Sequence, residues 1–127
     1  MANFVKTISY LDHEILYVDC SNQSESNVLK AFDEMLEAVF ASPAPGKCLV
    51  LFNMVNIPSS LSINNKGREI VDVAKAKGVP ELPTAMFGFS GAQKMVARMF
   101  LSLRRDDTLF IADDEERAKD WLVTKAK

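Results

Sequence analysis

The chain has 127 residues, 48% of them hydrophobic and 25% charged, which excludes a disordered segment and fits one domain, residues 1–127. Fifteen basic against seventeen acidic residues leave a net charge of −2, so the strongly basic footprint of a nucleic-acid binder is missing. No apolar run approaches the ~20 residues of a membrane span, and the opening Met1–Glu14 has no signal-peptide core, so a soluble cytoplasmic domain is expected.

Residues Phe4 to Tyr10 alternate as a strand, Leu11 to Glu14 form a turn, and Ile15 to Asp19 return as a second strand. A polar stretch then leads into a helix capped by Ser24, with Val28, Leu29, Phe32, Leu36, Val39 and Phe40 on one face. Pro43 and Pro45 stop it. Cys48 to Phe52 is nearly all apolar, as strands covered on both faces are. A loop from Asn53 to Ser62 precedes a helix carrying Ile70, Val71, Val73 and Ala74, with Gly78 at its C′ position. Thr84 to Phe89 reads as a strand, and Ser90-x-x-Gln93 caps a helix whose Ala92, Met95, Val96, Met99 and Leu103 share a face. Thr108 to Ala112 reads as the last strand, and Asp113-x-x-Glu116 caps a helix turning Ala118, Trp121 and Leu122 inward. The order ββαβαβαβα implies right-handed βαβ units and a mainly parallel sheet with an antiparallel N-terminal strand.

The run Phe87-Gly88-Phe89-Ser90-Gly91-Ala92-Gln93-Lys94, followed by Asp113 to Leu122, resembles the STAS/SEC14-like family, also called SpoIIAA-like. The motif match covers about the last 40 residues, and the element order agrees over nearly the whole chain. That resemblance implies a STAS-like superhelix on a four- to five-stranded sheet. It also implies an anti-sigma-factor antagonist, switched by phosphorylation of a serine at the start of the helix after the third strand. Ser59 and Ser60 are the nearest equivalents, preceded by Pro58 where the family carries an Asp-Ser-Ser-Gly-like context. The SEC14 side of the resemblance implies a lipid-binding cousin.

Gly88-Phe89-Ser90-Gly91-Ala92 approaches the nucleophile elbow of serine hydrolases, but the single histidine, His13, precedes the serine in the opening hairpin. Ser90 therefore reads as a helix cap, and no catalytic residue is assigned. No His, Cys or carboxylate spacing suits a metal, and no glycine-rich phosphate loop is present, so no cofactor is expected. Cys20 and Cys48 read as buried free thiols. Six methionines, among them Met86, Met95 and Met99, read as core filling.

Ligands of βαβ sheets gather at the carboxyl ends of the strands. There the chain supplies Ser59, Ser60, Ser62, Ser90 and Gly91, with Lys94 and Arg98 opening a basic stripe that continues to Arg104 and Arg105. These residues form the expected partner- or anion-binding surface. The reading is a non-enzymatic regulatory module contacting another protein, with a carrier of a small apolar (lipid-like) or anionic ligand as the alternative. A weak homodimer is expected, because the opening strand leaves a sheet edge unpaired and helices wound as a superhelix gather on one sheet face.

Overall fold

A computed structural model describes residues 4–58, 61–79, 82–95 and 109–126. Five strands lie side by side in chain order: β1 (Val5–Tyr10), β2 (His13–Asp19), β3 (Val50–Asn53), β4 (Thr84–Phe87) and β5 (Leu109–Ile111). The first pair is antiparallel and the rest are parallel. The helices are α1 (Glu25–Ala41), α2 (Leu61–Ala76), α3, described over 91–95, and α4 (Glu115–Thr124). Among the described residues, no helix is long and apolar enough to cross a membrane.

The hairpin turns on two residues rather than four. Leu11 and Asp12 both take positive φ, 48° and 66°, and His13 and Glu14 already pair with Tyr10 and Ser9. This backbone matches the twist of the strands it joins, so the ladder runs right to the turn. His13 is therefore the first residue of β2 and not a turn residue. The third strand starts later than expected: a 3-10 turn, Pro45–Lys47, binds the Cys48 amide to the Pro45 carbonyl, and pairing begins at Val50. The fourth ends earlier, since Gly88 takes φ +94° and breaks the extended backbone.

One face of the sheet is covered by α1 and α2. Val18, Val50 and Phe52 pack there against Val28, Phe32, Met35 and Val39 of α1 and against Ile63, Ile70 and Ala74 of α2. Phe32 meets Phe52 edge to face, 5.1 Å between centroids. Burying each such side chain stabilises the fold by about 1.5–3 kcal/mol. The α1 stripe is wider than its expected face: Ala31 and Met35 are buried, while Leu29 and Phe40 are only half-buried.

The helices do not all gather on one face. Ala118 and Leu122 of α4, both fully buried, close the opposite face over Ile15, Tyr17, Leu51, Ala85 and Phe87. Trp121 is half-buried and stacks on Phe110 at 5.3 Å. Part of the expected case for a homodimer, a sheet face left for another chain to cover, is met over these strands by the chain's own last helix.

Helix ends follow the sequence closely. Ser24 accepts from the Asn27 amide, and α2 closes with Gly78 at φ +89°. The Gly78 amide donates to Lys75 and the Val79 amide to Ala74, a Schellman motif. The α4 cap is one residue later than expected. Asp114, not Asp113, accepts from the Arg117 amide at 2.8 Å. Cys20 is fully buried and Cys48 half-buried, both as free thiols.

Candidate functional site

The carboxyl ends of the parallel strands share a register line, Asp19–Asn53–Phe87. Backbone bonds extend the ladder past it: the Cys20 amide donates to Asn53, Met54 to Phe87 and Ala112 to Met86. Three loops leave this end and are tied to one another. Asn22 and Asn56 each take positive φ, 60° and 56°, a conformation asparagine tolerates better than most residues. The Asn22 amide donates to the Val55 carbonyl at 2.9 Å, and the Asn56 side-chain amide donates to Asn22 Oδ1 at 2.9 Å. From the third loop, Gln93 Nε2 donates to the Ile57 carbonyl at 2.9 Å. Gly88 lies so close to Val55 that a Cβ there would stand 2.5 Å from Cγ2 and 2.8 Å from the amide nitrogen.

Ser90 caps α3. Its hydroxyl accepts from the Gln93 amide at 3.3 Å, and Gln93 Oε1 accepts from the Ser90 amide at 3.1 Å, the reciprocal box expected. Ser90 and Gly91 are exposed. Lys94 does not reach outward alone: Nζ donates to Asp113 Oδ1 at 2.8 Å, and Asp113 also meets Arg117 at 3.4 Å. The groups singled out for an anion at Ser90 and Lys94 are thus engaged within the chain. Ser62 is exposed on the first turn of α2. Ser59, Ser60 and Arg98, with Arg104 and Arg105, lie outside the described residues, as do Val96, Met99 and Leu103.

Ser90 and His13 stand at opposite ends of the sheet. Ser90 lies three residues beyond Phe87, where β4 ends at the register line, and His13 precedes that line by six residues on β2. At ~3.3 Å per residue the six alone span ~20 Å, far beyond hydrogen-bond reach. No group of three His, Cys, Asp or Glu among the described residues could hold a metal ion.

Two apolar side chains expected indoors or left unremarked are in water at this end. Leu61, the first residue of α2, is 75% exposed, and Met95 of α3 is 66% exposed. Ala92 is exposed as well, so the first turn of α3 does not bury the face its spacing suggested. A further large exposed apolar residue among those described, Leu11, tips the hairpin at the other end.

Beneath α4, Tyr17 forms a polar junction missed in the sequence. Its hydroxyl donates to Glu115 Oε1 at 3.1 Å and accepts from Asn53 Nδ2 at 3.0 Å. Burial pushes the phenol up to about 12; the Asn53 bond opposes this and the Glu115 charge adds to it. An aromatic flanked by asparagine and glutamate in three separate elements leaves no local pattern, so only the register reveals it.

No known protein-family model matches the chain, and no curated protein matches it. Among solved structures, it is similar to an uncharacterized protein of the DUF3478 family from Shewanella loihica PV-4, which has a SpoIIAA-like fold. The TM-score is 0.62 at 16% identity, over 93% of this chain and 91% of that one. The chain has a SpoIIAA-like fold, as the resemblance in its sequence implied.

Proposed function

We propose that this chain is a non-enzymatic binding module that presents the carboxyl ends of its parallel strands to a protein partner. The observation that carries this reading is the pair of solvent-facing apolar side chains, Leu61 and Met95, near the starts of two helices that leave that end. Large apolar groups held in water contribute area only once something covers them. Next to them, the loop over 54–58 is braced by the Asn22–Asn56 bond and the Gln93–Ile57 bond, which lowers the ordering cost of binding there. An anionic ligand is served less well, because Lys94 is paired with Asp113.

The test is site-specific photo-crosslinking in cells, with the reactive residue at position 61, 95 or, as control, 11. One discrete protein adduct at both 61 and 95, and not at 11, is expected. With that partner purified, the Leu61→Glu/Met95→Glu double variant should bind ~10-fold or more weakly. Its melting temperature should barely move, since exposed substitutions change stability by only about 0.5 kcal/mol. Equal capture at all three positions, or unchanged affinity of the double variant, would remove this surface.

A further inference from the structure

Strand β1 closes one side of the sheet. The Asp19 amide donates to the Phe4 carbonyl at 2.8 Å, which fixes the phase of the antiparallel ladder. Backbone groups alternate in direction along such a strand. Those of Lys6, Ile8 and Tyr10 therefore face β2, as does the Phe4 carbonyl, while the Phe4 amide donates to Glu34 Oε2 of α1 at 3.0 Å; those of Val5, Thr7 and Ser9 face away from the sheet. Thr7 and Ser9 are exposed.

Native edges are usually blunted by a bulge, a proline or a charge along the rim. Six consecutive pairs, Val5–Val18 through Tyr10–His13, run without a bulge. None of the positive-φ residues falls inside β1. The side chains that could guard the rim are drawn back over the sheet. Lys6 Nζ lies 5.1 Å from the Tyr17 ring centroid, and the Tyr10 hydroxyl donates to Asp120 at 2.5 Å.

We infer that β1 is a self-pairing edge, which joins two copies of this chain across a two-fold axis at Thr7. With the axis there, Thr7 opposes the partner's Thr7, and Val5 opposes the partner's Ser9. Three outward donors in each copy then give about six backbone hydrogen bonds. Charge selects this register. A shift that sets Val5 against the partner's Thr7 places Lys6 opposite the partner's Lys6, and like charges directly opposed are destabilising. With the axis at Thr7, Lys6 meets the partner's Ile8. The opposite shift, pairing Thr7 with the partner's Ser9, keeps only two of the three outward pairs. This interface lies at a sheet edge and leaves the proposed partner surface at the strand ends open.

The experiment is sedimentation equilibrium of the whole chain over a wide concentration range, with three variants. The native chain should move from 14.1 kDa toward twice that mass as concentration rises. Thr7→Pro deletes the central outward donor without touching a bond to β2, and should raise the dimer dissociation constant ~10-fold or more. In a Cys48→Ser background, oxidised Thr7→Cys should form a disulfide dimer, because a hydrogen-bonded pair holds Cα atoms ~5.5 Å apart, within disulfide range. Lys6→Cys, opposed by the partner's Ile8, should not. A mass of 14.1 kDa at every concentration overturns the inference. So does equal crosslinking of Lys6→Cys and Thr7→Cys, whatever Thr7→Pro does.

Discussion

Gly88 shows how one backbone position sets the spacing of the strand-end loops. It combines φ +94°, which an L side chain rarely adopts, with a Cβ direction aimed at Val55 from 2.5 Å. Both penalties fall on the same substitution. Gly88→Ala should destabilise by about 2–3 kcal/mol in urea unfolding, because the obstructing atoms include backbone, which cannot swing aside. Gly46→Ala, where no atom lies within 4 Å, is the control and should stay within ~0.5 kcal/mol. Equal effects at both positions would mean that the 54–58 loop yields freely. The glycine was visible in the sequence only as part of Gly88-Phe89-Ser90-Gly91-Ala92. The need for it comes from a loop more than thirty residues earlier in the chain, which no local pattern records.

At the scale of elements, the ends of helices were more legible than their faces. Ser24 and the Ser90–Gln93 box are read from side chains acting on backbone one turn away, and Gly78 from the positive φ that a helix end demands; each is present. Asp113 and Asp114 both satisfy the cap pattern, and the choice between them rests on a tertiary contact: Lys94 recruits Asp113, leaving Asp114 to the Arg117 amide. Asp114→Ala should therefore cost about 1 kcal/mol in stability and Asp113→Ala clearly less, by thermal unfolding at neutral pH. The reverse ranking would return the cap to Asp113. Faces were harder because burial depends on which neighbour arrives. Periodicity finds Val28, Phe32 and Val39, yet it cannot tell that Met35 is fully covered or that Met95 is left in water.

For the molecule as a whole, the alternation of strands and helices carried the parallel order and the antiparallel opening, while α4's crossing to the other face lay beyond it. That crossing buries Tyr17 and ties it to Glu115, with a consequence for the pH response. Tyr17 is raised from 10.0 to about 12, and Cys20 from 9.0 to about 12, both chiefly by burial. The folded chain holds these protons more tightly than the unfolded chain. Their stabilisation is complete below pH about 9–10 and is lost as pH rises toward about 12. The melting temperature should fall across that window. Tyr17→Phe should lower stability at neutral pH by ~1 kcal/mol, through the lost Asn53 and Glu115 bonds, and make the alkaline fall shallower. An alkaline fall as steep as the parent's would show that Tyr17 does not titrate with unfolding.

The sheet's order in space repeats its order in the chain, and this bears on how a nascent polypeptide acquires it. Each strand leaving the ribosome finds its neighbour already made, so β1 to β5 can be laid down in sequence with α1 and α2 closing one side behind them. The other side must wait. Ile15, Tyr17 and Leu51 pack against Ala118 and Leu122, which follow them by more than sixty residues in the chain. Helix α4 is thus the latch on that side of the sheet. A ribosome stalled before α4 would leave Ile15, Tyr17 and Leu51 without the cover of Ala118 and Leu122, and apolar surface bared in this way is what chaperones and proteases recognise.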